Sequence, residues 1–152
     1  MAKDIKKIIA QEYLKCAKDP AYFMKKYCFI QHPTRGRILF ALYPFQEKIL
    51  HLFKDNQYII TLKSRQLGIS TLSAAYSLWL MLFHKDKNVL ALATTQATAR
   101  NLVTKTIFMY DQLPKWLKLR AVEKNKLSLR LKNGSKITAK SSNADAARSE
   151  AV

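Results

Sequence analysis

Apolar residues recur at helical spacing in the first part of the chain. Residues 5–18 place Ile, Tyr and Leu side chains on one face, which predicts an amphipathic helix that ends before Pro20. A second, short helix is predicted over residues 20–27. After a turn and a short strand at 37–42, residues 44–53 predict a third helix with a proline in its first turn. The chain therefore begins with a helical region.

The pattern then changes to that of β-strands. Residues 57–62 are apolar and β-branched and predict a strand. Residues 88–93 predict another, with no polar side chain after the first, which is typical of a central strand in a covered parallel sheet. Residues 127–139 alternate on both sides of Asn133-Gly134, which predicts a β-hairpin with a type I′ turn.

Two further helices separate these strands. Residues 70–84 predict a mostly apolar helix that is buried on most sides, and residues 95–113 predict one that ends at Pro114. The order strand, helix, strand, helix favours a right-handed β-α-β core with helices on both faces of a parallel sheet. We therefore expect an α/β fold with an N-terminal helical lead-in and a β-hairpin near the C-terminus.

The charge balance is strongly basic. The 152 residues contain 27 Lys plus Arg against 10 Asp plus Glu, a formal net charge of +17. Such a chain is expected to contact a polyanion, nucleic acid above all, although a solvated basic surface is the alternative for each residue. The basic side chains that could follow a DNA backbone are Lys115, Lys118, Arg120, Lys124, Lys126, Arg130, Lys132, Lys136 and Lys140.

Cysteine usage and hydropathy indicate a protein of the cytoplasm. Cys16 and Cys28 are too few for a metal framework and are expected to be free thiols. The first residues lack the apolar core of a signal peptide. The longest apolar run, Leu78 to Phe83, is far shorter than the roughly 20 residues that span a bilayer. We expect no membrane association.

A basic loop joins the predicted strand at 57–62 to the apolar helix. The strand, loop and helix have the layout of a phosphate-binding P-loop, G-x-x-x-x-G-K-[ST], but Lys63 holds the first glycine position and Ile69 the lysine position. Gly68 permits close backbone approach to a phosphate, and Ser70 holds the position of a magnesium-binding hydroxyl. Lys63 could reach the phosphates from the strand end. The alternative is an ordinary strand-to-helix turn.

The loop Lys63-Ser-Arg-Gln-Leu-Gly-Ile-Ser-Thr71 resembles the deviant Walker A motif of bacteriophage terminase large subunits, the ATP-driven motors that package DNA. In many of them the lysine stands at the front of the loop. Tyr43-x-x-Gln46 resembles the element whose glutamine reads adenine in that family, and residues 132–148 resemble its hairpin and arginine-bearing segment. The resemblance implies a P-loop NTPase-type sheet. It also implies that Arg148 acts as an arginine finger and Arg65 as a second catalytic cation. The implied cofactor-binding residues are Gln46, Lys63, Ser64, Arg65, Gln66, Leu67, Gly68, Ile69, Ser70 and Thr71, with Ser70 on the metal.

The same resemblance implies ATP and Mg²⁺ as cofactors. Its implied partners are double-stranded DNA, the terminase small subunit, the portal ring and further copies in a homo-oligomeric ring, in the cytoplasm of a bacterial host. We expect residues 1–42 to form the lead-in and residues 43–152 the first part of the ATPase domain of a longer protein. No apolar run followed by Asp-Glu, the family's Walker B pattern, occurs in the sequence. The 152 residues alone are therefore predicted not to hydrolyse ATP.

Two other functions fit the sequence less closely. A helicase-type ATPase shares the glutamine element and the fold, but Ile69 replaces the lysine that would favour it. A non-catalytic, basic nucleic-acid-binding domain with a fortuitous loop would account for the charge. Nucleotide binding that depends on Lys63 separates this last alternative from the ATPases.

Overall fold

The structure, a computed structural model, describes residues 2–32 and 34–142, and in them five helices and six strands. In chain order these are α1 Ala2–Lys18, α2 Pro20–Tyr27, β1 Phe29–His32, β2 Gly36–Leu39, α3 Pro44–Asp55, α4 Ile69–Phe83, β3 Asn88–Ala93, α5 Gln96–Asp111, β4 Ala121–Lys124, β5 Ser128–Leu131 and β6 Lys136–Ser141. The fold is mixed α/β, as predicted.

The helices begin and end close to the predicted residues because local capping signals define them. Asp19 Oδ1 accepts the N–H of Ala21 at 2.8 Å where α2 starts, and a proline occupies its first position. Thr95 Oγ1 accepts the N–H of Thr98 at 3.2 Å at the start of α5. These side chains satisfy donors that a helix N-terminus leaves unpaired.

The central helix α4 is buried on most of its surface, as its composition predicts. Leu72, Leu78 and Met81 are fully buried. Trp79 is 4% exposed, and its Nε1 donates to the main-chain oxygen of Cys16 at 2.8 Å, which joins α4 to α1. The helix packs mainly against α5. Within residues 2–32 and 34–142, no helix is both long enough and apolar enough to cross a membrane.

The main sheet is mixed rather than parallel. Its strand order is β3-β6-β5-β4, and in the described part of the chain only β3 and β6 run parallel. The helix α5 packs against β6 and β3, and the inward side chains of β5 and β6 join the core. The sheet thus matches the predicted parallel arrangement at β3 and β6, whereas β5 and β4 join it by antiparallel pairing in a β-meander.

Residues 57–62 do not form the predicted strand. Their side chains project into solvent: Tyr58 is 84% exposed, and Ile60 and Leu62 are fully exposed. A strand needs a neighbour for its N–H and C=O groups, and in the described sheets none pairs with this segment. The strand β1, which was not predicted, has such a neighbour, since it pairs antiparallel with β2.

The predicted hairpin is present, but its turn is of a different type. Gly134 has φ +86°, whereas Asn133 does not have the positive φ that a type I′ turn requires. Gly134 N–H donates to the oxygen of Leu131 at 3.1 Å. Asn133 Nδ2 instead donates to the main-chain oxygens of Met81 at 2.7 Å and His84 at 3.1 Å. The side chain of Asn133 therefore donates hydrogen bonds to the C-terminal carbonyls of α4.

Candidate functional site

The loop 63–68 enters α4 through two residues in left-handed conformation. Gln66 has φ +63° and Gly68 has φ +70°. Gly68 is the N-cap of α4, and because it has no side chain no side-chain cap bonds to the first turn. The first N–H groups of α4 thus have no intrahelical partner, and together with the helix dipole they favour an anion.

Two cations lie in the loop that precedes this helix N-terminus. Lys63 and Arg65 are both exposed, and Lys63 Nζ donates to the main-chain oxygen of Ser64 at 3.1 Å. Ser64, Gln66 and Leu67 are exposed as well. The loop predicted to hold phosphate is therefore open to solvent and carries two positive charges in the residues that precede α4. That arrangement can neutralise a bound polyphosphate.

The hydroxyls of Ser70 and Thr71 lie in the first turn of α4. Ser70 is exposed, and Thr71 Oγ1 accepts from Lys105 Nζ of α5 at 3.1 Å. The packing of α4 on α5 brings this third cation to the site from 34 residues away. Sequence reasoning missed Lys105, and no local pattern marks it, because its position depends on how the two helices pack.

The amide of Gln46 reaches the loop, but it is buried. Its side chain is 1% exposed. Its Oε1 accepts the N–H of Tyr43 at 3.0 Å, and its Nε2 donates to the main-chain oxygen of Leu67 at 3.1 Å. Tyr43 stacks on Phe45 beside it, with ring centroids 5.7 Å apart. The structure thus brings Gln46 to the predicted phosphate loop and points its polar atoms at backbone.

A cavity of about 930 Å³ adjoins the start of α4. Ser70, Thr71 and Lys105 line one part of it, and Leu90 and Leu92 of β3 line another. Lys63 and Gln46 are not among its lining residues. The cavity therefore includes the predicted magnesium-binding Ser70 and the cation Lys105, but none of residues 63–68.

The described residues fit the phosphate half of an ATP and magnesium site. In the chain as described, no cluster of three or more His, Cys, Asp or Glu side chains could hold a metal. A magnesium ion at Ser70 would take its other ligands from phosphates, water or groups outside these residues. Arg148, the predicted arginine finger, lies outside the described residues.

Loop, helix and mixed sheet together are those of an α/β protein in which a basic loop leads into an uncapped helix N-terminus. The fold is similar to the crystal structure of the HK97 bacteriophage large terminase, with a TM-score of 0.65 over 84% of this chain and 18% sequence identity. The chain spans 28% of that protein's length. No sequence profile of a known protein family matches the chain. The resemblance to phage large terminases is confirmed at the level of the fold.

Proposed function

We propose that this chain is the nucleotide-binding part of a DNA-packaging ATPase of the large-terminase type. One observation carries the proposal: the left-handed Gly68 leads into an uncapped α4 next to Lys63 and Arg65. The fold similarity to the HK97 large terminase supports it. In this proposal the sheet is of the P-loop type, and the loop 63–68 joins residues 57–62 to α4.

Each loop residue has a chemical role in this proposal. The backbone N–H groups at the start of α4 would bind phosphate oxygens, and Lys63 and Arg65 would offset their charge. Ser70 would bind Mg²⁺ through its hydroxyl, with Thr71 behind it. The main chain of Ser64, Gln66, Leu67 and Ile69 would shape the loop. ATP, when bound, supplies the phosphoanhydride whose hydrolysis drives the motor.

The wider function concerns the whole motor. Translocation of viral DNA into a procapsid would require double-stranded DNA, the terminase small subunit, the portal ring and further copies of the large subunit in a ring. Such a motor would work in the cytoplasm of the bacterial host. Arg148 would act on the ATP of a neighbouring subunit in that ring, where an arginine stabilises the charge of the transition state.

A second candidate function, a nucleic-acid-binding module, is favoured by the surface charge. Six exposed basic residues lie between α5 and β6, namely Lys115, Arg120, Lys124, Lys126, Arg130 and Lys132. Of these, Lys124 pairs with Asp111 at 2.8 Å. If binding DNA were the only activity of the chain, DNA affinity would fall with salt while nucleotide binding would be absent.

Calorimetric titration of the 152-residue chain with magnesium ATP tests the proposal. The wild type should bind, and Lys63→Ala should lower the affinity about 10-fold or more, since hydrogen bonds to charged groups contribute on the order of 1.5–3 kcal/mol. Lys85→Ala is the matched control, because Lys85 is an exposed lysine beyond the other end of α4. Absent binding by the wild type, or equal loss in both variants, contradicts the proposal.

A further inference from the structure

Gln46 is among the few polar side chains in the described core. Of the buried polar residues, it has the longest side chain, and it lies in the first turn of α3. A buried amide is stable only when its polar atoms form hydrogen bonds. Those of Gln46 go to two main-chain groups that are far apart in sequence, Tyr43 N–H on one side and the Leu67 oxygen on the other.

The second bond lies at the peptide that turns the loop into α4. Leu67 immediately precedes Gly68, whose φ of +70° sets the direction in which α4 starts. A Cβ added to Gly68 would come within 2.8 Å of Gln46 Nε2. Glycine is therefore required at position 68 for two reasons, the positive φ of its backbone and the close approach of the Gln46 amide. The Gln46 amide in turn packs against the Leu67–Gly68 peptide, whose oxygen accepts its hydrogen bond.

We infer that Gln46 is a positioning residue, which fixes the Leu67–Gly68 peptide and thereby the orientation of the phosphate-binding N–H groups of α4. The inference rests on the proposed nucleotide site and deepens it. On this account Gln46 acts on the phosphates through the loop and raises affinity for any nucleoside triphosphate. A side chain that reads the adenine edge would instead discriminate between bases.

The burial of Gln46 favours the positioning role. A glutamine amide has two N–H donors and one oxygen with two lone pairs. One donor and one lone pair are used within the chain, and 1% exposure leaves the remainder closed to a ligand in this conformation. Reading adenine would require the side chain to leave both partners. The loop would then lose its attachment to α3 as the base bound.

Two variants separate the donor from the rest of the side chain. Gln46→Glu keeps an oxygen that accepts from Tyr43 N–H but replaces the donor to Leu67 with a carboxylate. Gln46→Met removes both bonds without burying a charge, and is the variant of use if the glutamate variant does not fold. Gln57→Glu is the charge control, because it makes the same change at an exposed position outside the loop.

Affinity for magnesium ATP, magnesium GTP and tripolyphosphate should be measured for each variant at about pH 7.5 and about pH 5. We expect Gln46→Glu to weaken all three about tenfold and to leave the ATP-to-GTP ratio unchanged. Relative to wild type, Gln46→Glu should recover affinity at the lower pH, because burial opposite the Leu67 oxygen favours the protonated carboxyl, which donates again. If Gln46→Glu lost affinity for ATP but not for tripolyphosphate, Gln46 would be a residue that reads the base, and the inference would be overturned. Unchanged affinity for all three ligands would overturn it as well.

Amide hydrogen exchange of the nucleotide-free chain tests the inference even if the proposed function fails. The first hydrogen-bonded amides of α4 begin with Leu72 N–H, which donates to the Gly68 oxygen at 2.9 Å, and they should exchange faster in Gln46→Glu and Gln46→Met than in wild type, while α5 keeps its protection. If the wild type binds no nucleotide, the proposed function is wrong, and exchange alone decides whether Gln46 positions the loop. Unchanged exchange at these first hydrogen-bonded amides of α4 in both variants overturns the positioning role.

Discussion

The side-chain amide of Asn133, in the β5–β6 turn, donates a hydrogen bond to the main-chain oxygen of Met81 at 2.7 Å. The same nitrogen donates to the oxygen of His84 at 3.1 Å. The last carbonyls of a helix have no intrahelical donor, so this side chain satisfies groups that α4 leaves open near the core. It also fixes the turn to the helix, 52 residues away in sequence.

Asn133→Ala should therefore destabilise the chain by about 1–3 kcal/mol, because it leaves the partly buried Met81 oxygen without this donor, while Ser135 Oγ still donates to the His84 oxygen at 2.9 Å. Urea unfolding followed by circular dichroism measures the change. The control is Asn56→Ala: Asn56 makes a comparable bond to the Leu52 oxygen at 3.1 Å, but at an exposed helix end where water can replace it. That variant should lose less than about 0.5 kcal/mol. Equal losses would contradict the assigned role of Asn133.

Features that depend on residues close together in the sequence were predicted, whereas features that depend on contacts between distant residues were not. The ends of α2 and α5 were predictable because Asp19 and Thr95 cap donors two or three residues away. The β-branched pattern of residues 57–62 reports strand propensity, but a strand forms only when a distant segment pairs with it. The type of turn at Asn133 was missed because its Nδ2 donates to α4, which is distant in sequence, while only its Oδ1 accepts from the neighbouring Ser135 N–H.

The features of the candidate site also divide into those that a local motif identifies and those that depend on packing between distant segments. The contiguous loop Lys63–Thr71 was visible as a motif in the sequence. Lys105 and the burial of Gln46 were not, since they depend on how α5 packs on α4 and how α3 meets the loop. A local motif could identify the residues of a candidate phosphate loop, but only the fold shows which third cation is near and which amide is already bonded.

A cluster around Glu12 predicts acid sensitivity of the contact between α1 and α2. Glu12 Oε1 accepts from Lys26 Nζ at 2.6 Å, Tyr22 Oη at 2.7 Å and Tyr27 Oη at 2.8 Å. The hydrogen bond from Lys26, followed by those from the two tyrosines, lowers the pKa of Glu12 from 4.5 to about 2. A lowered folded-state pKa stabilises the fold above pH 4.5, and this contribution is lost as the pH falls towards 2.

Glu12→Gln should therefore be less stable than wild type near neutral pH, and the difference should shrink between pH 4.5 and pH 2. Urea midpoints measured across this range give the test. Glu47→Gln is the control, since the exposed Lys25–Glu47 pair at 2.6 Å is screened by solvent and should contribute little. A difference for Glu12→Gln that stays constant down to pH 2 would show that its carboxylate charge is not responsible.

The two thiols should be unreactive until the chain unfolds. Cys16 and Cys28 are both fully buried and unpaired with each other. Burial, with a smaller contribution from Glu12, raises the pKa of Cys16 to about 11, and burial also raises the pKa of Cys28. Thiolate is the reactive form, so an aromatic disulfide reagent at about pH 8 should label neither in the native chain and both in urea. Rapid native labelling would show that the core around α1 and α2 opens.

The exposed segment 57–62 predicts self-association of this chain. Ile60 is fully exposed between Tyr58 and Leu62, and a short, uncharged, β-branched segment without a partner adds readily to another strand edge. The edge of β3 is available for this within the described sheet. Light scattering of Ile60→Lys should show less association with concentration than wild type. Ile8→Lys, at a 63% exposed position of α1, adds the same charge and should change little. Similar behaviour of both variants would exclude this segment as the cause.

The 152-residue chain should not hydrolyse ATP, even if the chain binds the nucleotide. Its candidate site supplies phosphate contacts through the loop and cations through Lys63, Arg65 and Lys105, but the sequence contains no Asp-Glu pair after an apolar strand to hold the metal and polarise water. Phosphate release from magnesium ATP should therefore match that of buffer. Lys63→Ala separates contamination from real activity, because a contaminating ATPase is unaffected by it. A rate clearly above buffer that this substitution abolishes would mean that the chain supplies its own acidic group, and that the site is more complete than its described residues indicate.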